Sequence, residues 1–232
     1  MSTAQELRTL AKIRTRGYWR VVVRPAAFER EHISEFSELL PIVQKNSVQL
    51  RGWDYPHIDL NHPPERGSDW VGQEFEWDHE IEVWRLYQSG QFIHFFPLAG
   101  EWRDQSSFWP AEPGWSWGKH LYYVNTIYSF LEIFEFAARL AQSPAGSATM
   151  HVEIGLHDLK GRRLIGEDIR VMLHGAYHTE MSEWKHPWTG SQTDLISRPR
   201  ELAAEAAREL FLRFGLNVSL DTLSRIQETI GR

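Results

Sequence analysis

The sequence predicts an α+β fold: an antiparallel sheet built around a hairpin in residues 70–97, packed by a long helix over 121–142, with two C-terminal helices. Three observations carry this expectation. Residues 70–97 read WVGQEFEWDHEIEVWRLYQSGQFIHFFP, aromatic and β-branched runs joined by Ser89-Gly90. Ser-Gly between such runs signals a tight hairpin, because glycine takes positive φ without a Cβ clash. In 121–142, Asn125, Ser129, Glu132, Glu135, Arg139 and Gln142 fall within about 120° of arc at 100° per residue. The rest of that helix is nearly all apolar, so it should be buried on most sides and cross the sheet. Third, Met150, Val152, Ile154 and Leu156 alternate with His151, Glu153, Gly155 and His157, the pattern of a half-buried antiparallel strand.

In order, residues 3–16 predict a helix. Thr3 and Glu6 have capping-box spacing, Leu7, Leu10 and Ala11 form an apolar stripe, and Gly17 stops it. YWRVVVR at 18–24 is a strand ended by Pro25. Residues 28–46 return to helical spacing, with Pro41 expected to kink or split the helix. Residues 48–53 predict a strand, feeding an irregular loop over 54–69 whose prolines 56, 63 and 64 should keep it ordered. Residues 100–119 fit no period and read as a long ordered loop. Beyond SPAGS at 143–147, Asp158-Leu159-Lys160-Gly161 should turn the 150–157 strand back into 162–165. Further strands are expected over 169–174 and 179–184. Pro199 opens a helix to Phe214 ended by Gly215, and Ser219 caps a last helix with Leu220, Leu223, Ile226 and Ile230 on one face. A single domain over 1–232 is expected, with 143–147 as a possible subdomain break.

The hairpin suggests a site. If Ser89 and Gly90 are the two loop residues, Arg85 faces His94. Ile81, Val83, Arg85, Tyr87, Phe92, His94 and Phe96 then share one face. Two cationic groups on an apolar face repel, so either His94 stays neutral or an anion bridges them: a protein carboxylate such as Asp54 or Glu132, or the carboxylate or phosphate of a ligand.

Bulk composition excludes several classes. The chain has no cysteine, which removes disulfides, thiolate metal sites and a cysteine nucleophile, and points to a reducing cytoplasm. No apolar run approaches the roughly 20 residues a membrane span needs, and no signal peptide is visible. A net charge of −6 argues against broad phosphate-backbone binding, so nucleic acid is not the expected partner. Eleven tryptophans are the outlier, serving either core packing or a flat stacking surface. There is no G-x-S-x-G elbow, phosphate-cradling glycine loop or nucleic-acid-binding pattern.

RGWDYPHIDLNH at 51–62 concentrates Asp54, His57, Asp59 and His62, raw material for a divalent metal site, although the spacing matches no established signature. Trp53, Asp54, Tyr55 and His57 also suit a recognition loop. Asp78-His79-Glu80 with Glu82 is expected to be a solvated strand edge, and Arg162-Arg163 a solvated turn.

LRGWDYPHI, YWRVVVRP and EVWRLYQSGQFIHFF together resemble an uncharacterised bacterial family, in which an R-G-W-D-aromatic-P-H stretch precedes a W-R-x-Y-Q-S-G-Q-F hairpin. The resemblance spans roughly residues 18–226. It implies one domain, carries no transferable activity, and favours a recognition or adaptor role.

The expected function is a cytoplasmic ligand- or protein-recognition module of sensor or adaptor type, without catalysis or a required cofactor. Its partner would be a protein or a small anionic ligand. The expected binding residues are Trp53, Asp54, His57, Arg85, His94, Trp109 and Trp115, with His57, Asp59 and His62 as candidate metal ligands. The rival is a metal-dependent phosphoester hydrolase using the same histidines and aspartates, and perhaps His79. A purely structural subunit is the third option and would expose a large apolar patch.

Overall fold

The alternation in YWRVVVRP is realised as β1 (Tyr18–Pro25), whose Trp19, Val21 and Val23 all turn to one face and are buried. The computed structural model describes residues 9–108, 115–167 and 173–230. After β1 come a 3-10 turn (Phe36–Glu38) and α1 (Leu39–Asn46). Short strands follow: β2 (Val48–Gln49), β3 (Asp54–Tyr55) and β4 (Glu65–Arg66). Next are β5 (Trp70–Trp77), β6 (Glu80–Tyr87) and β7 (Phe92–Pro97). The second half holds β8 (His120–Tyr122), α2 (Tyr123–Ala141), β9 (Thr149–His157), β10 (Arg163–Ile165) and β11 (Glu183–Ser191). It closes with α3 (Gln192–Ser197), α4 (Pro199–Arg213) and α5 (Leu220–Gln227).

The α+β expectation holds. Seven strands form one antiparallel sheet in the order β11-β9-β1-β7-β6-β5-β4, so strands on both sides of 143–147 share it. Helix α2 lies over one face. Phe130, Ile133, Phe134 and Phe136 are buried there with Trp19, Val21, Trp84, Leu86, Phe92, Val152, Ile154 and Trp184. Helices α4 and α5 pack behind α2, contributing Leu210, Phe211 and Leu223. A smaller cluster covers the opposite face, where Ile13 from the helical residues 9–13 and Trp102 meet Ile81, Val83 and Phe95.

Several local expectations are corrected. The 28–46 helix begins only at Leu39, placing Pro41 in the first turn, where its missing N–H costs nothing; no kink is needed. Residues 163–165 do not return along β9. They pair in parallel with β8, because Arg162 is fully buried and bonded to Glu101, which draws the chain away from β9. β9 instead pairs with β1 and β11. The strand expected over 179–184 starts at Glu183 and runs nine residues, through Pro187, as the edge strand; α3, capped by Ser191, follows unforeseen. Most of the strand expected over 169–174 falls outside the described residues. The C-terminal helices keep their boundary residues: Pro199 opens α4, Gly215 follows it with φ 85°, and the Ser219 hydroxyl accepts from Thr222 N–H at the start of α5.

The central hairpin carries the correction that matters most. Tyr87 N–H donates to Gln91 O and Gly90 N–H to Tyr87 O, both at 2.9 Å, so the loop is Gln88-Ser89-Gly90, with Gly90 at φ 77°. A three-residue loop with a left-handed glycine shifts the register by one residue relative to a two-residue turn. Trp84 therefore pairs with His94, and Arg85 with Ile93. A shift of one residue sends every side chain of one strand to the other face, so Arg85 and His94 lie on opposite sides of the sheet.

Candidate functional site

Glu80, Glu82, Trp84 and Leu86 share the α2-facing side of β6, and cross-strand register places Trp77 beside Glu80 and Phe75 beside Glu82 on β5. Two carboxylates therefore project from a strand interior toward a helix. The polar stripe of α2 meets them there: Asn125, Ser129 and Glu132 face inward, with Ser129 and Glu132 buried. Polar and charged groups on both surfaces keep α2 and the sheet from closing tightly at this end. The result is a cavity of about 490 Å³ where β6 begins and β7 ends, walled also by Arg51, Trp53, Asp54, Tyr55 and the 97–103 segment.

Each wall is anchored. Glu82 Oε2 accepts from His94 Nε2 at 2.7 Å, and its Oε1 accepts from the His57 backbone N–H at 3.0 Å. The His57 carbonyl in turn accepts from Trp84 Nε1 at 2.8 Å, so the 53–57 segment is stitched to β6. Arg51 grips Glu132 through its guanidinium Nε and Nη2, at 2.9 and 2.5 Å, tying the β2–β3 turn to α2. The 97–108 segment is fastened at two points. Glu101 accepts from Gly17 N–H, Gly118 N–H and the buried Arg162 guanidinium. Asp78 accepts from Ser106 Oγ and Ser107 N–H at 2.5 Å and from His79 Nδ1 at 2.7 Å. The N-terminus of α2 is held by Glu167, which accepts from Val124 and Asn125 N–H, both at 2.7 Å.

Electrostatics follow from these contacts. Burial, reinforced by the charges of Glu132 and Glu82, pushes the Tyr55 hydroxyl well above its usual range, so it keeps its proton near neutrality. Desolvation at the cavity wall raises Glu80, with Glu82 adding to the shift and His79 and Arg51 opposing it. Desolvation also pushes Asp78 upward, but hydrogen bonds from Ser106, His79 and Ser107 outweigh it and hold the carboxyl below the usual range. Among the described residues, Tyr55 Oη, His94 Nδ1 and Trp102 Nε1 are buried without a hydrogen-bond partner in the protein, and all three residues line the cavity. At the mouth Trp53 is 40% and Trp77 51% exposed, with Phe108 stacked on Trp77 at 5.3 Å.

The residues singled out from sequence separate into groups. Trp53, Asp54 and His94 line the cavity. His57 sits behind it, its ring stacked on Trp53 at 4.2 Å and edge-on to Phe75 at 4.3 Å. Arg85 is on the far side of the sheet, its guanidinium 4.2 Å over the Trp70 ring, so the expected Arg85–His94 anion pair does not exist. Trp115 belongs to a separate small recess with Trp117, His120 and Tyr122. Trp109 lies outside the described residues. Asp59 and His62 pair at 2.5 Å, while the His57 ring is stacked on Trp53. Among the described residues no three His, Asp or Glu side chains are gathered so as to hold a metal ion. The Asp78–Glu82 cluster is not at a sheet edge: β6 is interior to the sheet and Glu82 is buried, while Glu80 stays half-exposed. Arg162, expected in a solvated turn, is fully buried.

Sequence reasoning placed Glu82 in a solvated strand edge and named Glu132 only as a possible partner of Arg85 and His94, so neither was expected as a wall of the site. The signal was available: Glu80 and Glu82 alternate in phase with Trp84 and Leu86, and Glu132 belongs to a narrow polar stripe on a helix otherwise nearly all apolar. Comparison of the chain with protein-family models, with curated proteins and with solved structures finds no match. Among the described residues no helix is long and apolar enough to cross a membrane.

Proposed function

We propose that this protein is a recognition module of sensor or adaptor type, and that it takes a small organic ligand into the cavity between α2 and the sheet. The observation that carries this is the cavity itself: about 490 Å³, within the usual range for small-molecule sites, walled by aromatic rings and by buried polar groups lacking protein partners. Anchored walls suit recognition, since a preorganised pocket loses little entropy on binding. The exposed rings of Trp53, Trp77 and Phe108 at the mouth would let an occupant alter the surface offered to a partner protein. The hydrolase alternative has less support, because its histidines and aspartates are not assembled around a common point among the described residues.

The test is a thermal-shift and tryptophan-fluorescence screen of small-molecule ligands, repeated on Ser129→Leu, which fills the cavity from α2. Ligand at 100 times its Kd should stabilise the protein by about 2.7 kcal/mol. Both signals should disappear in Ser129→Leu. A ligand that binds the variant as well as the wild type would refute the cavity as the site.

A further inference from the structure

We infer that the cavity selects an organic cation: an ammonium or guanidinium group on a flat or apolar body. The inference rests on the cavity being a ligand site, and it adds the chemical class of the occupant.

Charge comes first. Among the described residues Asp54, Glu80, Glu82, Glu101 and Glu132 line the cavity with two arginines, Arg51 and Arg103. Arg162 neutralises Glu101 from behind the wall, so five carboxylates and three guanidiniums leave a net −2 with the histidines neutral. Three of the five carboxylates are committed internally: Glu132 to Arg51, Glu101 to Arg162, and Glu82 to His94 and the His57 N–H. Among the described residues Glu80 pairs with His79 Nε2 alone, at 3.2 Å, and its side chain is 52% exposed. An anion entering this space meets uncompensated negative charge in a partly desolvated setting, where Coulomb energies are several-fold larger than in water. A cation relieves the same repulsion.

The aromatic walls point the same way, independently of charge. Trp77 lies directly across from Glu80, and Phe75 across from Glu82, so each carboxylate on β6 has a ring beside it on the same face. Rings next to carboxylates, with more than one direction of approach, are the arrangement that binds ammonium groups through their positive charge and their polarised methyl or methylene hydrogens. Tyr55 supplies the third observation. It is 6% exposed, lines the cavity, and its Oη has no hydrogen-bond partner among the described residues. A protonated phenol still has lone pairs, so it can accept from an N–H of the ligand. A bare divalent ion fits less well, since no three acidic or histidine side chains converge among the described residues. Successive same-face residues on a strand are about 7 Å apart, so Glu80 and Glu82 bracket a volume larger than a bare ion and near that of a substituted ammonium.

Three probes with one body and different charge test this on the full-length protein: 2-phenylethylammonium, 2-phenylethanol and 3-phenylpropionate, titrated by calorimetry and tryptophan fluorescence. The ammonium should bind at least ten-fold more tightly than the alcohol, and the propionate most weakly. Its affinity should fall as salt rises from 0.05 to 0.5 M. Glu80→Gln, at a half-exposed position, should weaken the ammonium about ten-fold and leave the alcohol unchanged. Equal or tighter binding of the alcohol or the propionate overturns the cation assignment while leaving the cavity as a ligand site. Ammonium binding indifferent to both salt and Glu80→Gln overturns it in the same way. Failure of all three probes overturns the cavity as a ligand site, and this inference with it.

Discussion

Replacing Glu82 with alanine tests whether the buried polar wall holds the sheet and the 53–57 segment together. Glu82 accepts two hydrogen bonds, from His94 Nε2 at 2.7 Å and from His57 N–H at 3.0 Å, and His94 is completely buried. Its removal strands two donors, each costing about 1–3 kcal/mol, so the gross loss is about 2–6 kcal/mol. Relief of repulsion from Glu80 works the other way. At about 7 Å and an effective dielectric constant near 20 it is worth at most ~2 kcal/mol. Glu80 is 52% exposed, so solvent screens that term further and the loss dominates. Urea unfolding should therefore show a midpoint about 1–2 M lower at an unchanged slope. Glu82→Gln keeps one acceptor oxygen and should cost about 1 kcal/mol. In a double-mutant cycle with His94→Phe, the two sites should couple by about 1.5–3 kcal/mol. An unchanged midpoint in Glu82→Ala, or additive effects in the cycle, would refute the anchoring role.

Two further outcomes follow from burial and from titration. Phe134 of α2 is fully buried in the main core, so Phe134→Ala should cost about 3–5 kcal/mol, and a loss below about 1 kcal/mol in chemical denaturation would mean the core face of α2 has been misassigned. Asp78 has a depressed folded-state pKa, so its contribution is present above the unfolded carboxyl pKa near 4 and fades as pH falls below it. Asp78 sits at φ 52°, a conformation asparagine also tolerates, so Asp78→Asn should lower the Tm at pH 7, and that difference should begin to shrink below about pH 4 and vanish only as the pH falls through the depressed folded-state pKa. A Tm difference that stays constant from pH 7 to pH 3 would contradict this.

Most of the secondary structure was legible because it is local. The alternation in 18–24 and 150–157, the apolar density of 121–142, Pro199, Gly215 and Ser219 act within a few residues of themselves, and each element appears within a few positions of its expected bounds. What failed depended on distant partners. Arg162 reads as a turn residue until Glu101, sixty-one positions earlier, neutralises it in the core. The hairpin register turned on whether the loop held two residues or three. Ser89-Gly90 permits either, and the difference moved Arg85 and His94 to opposite faces.

By itself, then, the sequence determined an α+β protein with an antiparallel sheet, a long buried helix and two closing helices, since hydrophobic period and turn chemistry are properties of neighbouring residues. It also contained the carboxylates at 80, 82 and 132. Only the tertiary structure decided that they meet. The stripe of α2 that looked ready for solvent faces the carboxylate-bearing side of β6, and residues 51–57 come from another part of the chain to bond both. A polar stripe has the same periodicity whether water or a cavity lies against it, so only packing distinguishes a surface from a site.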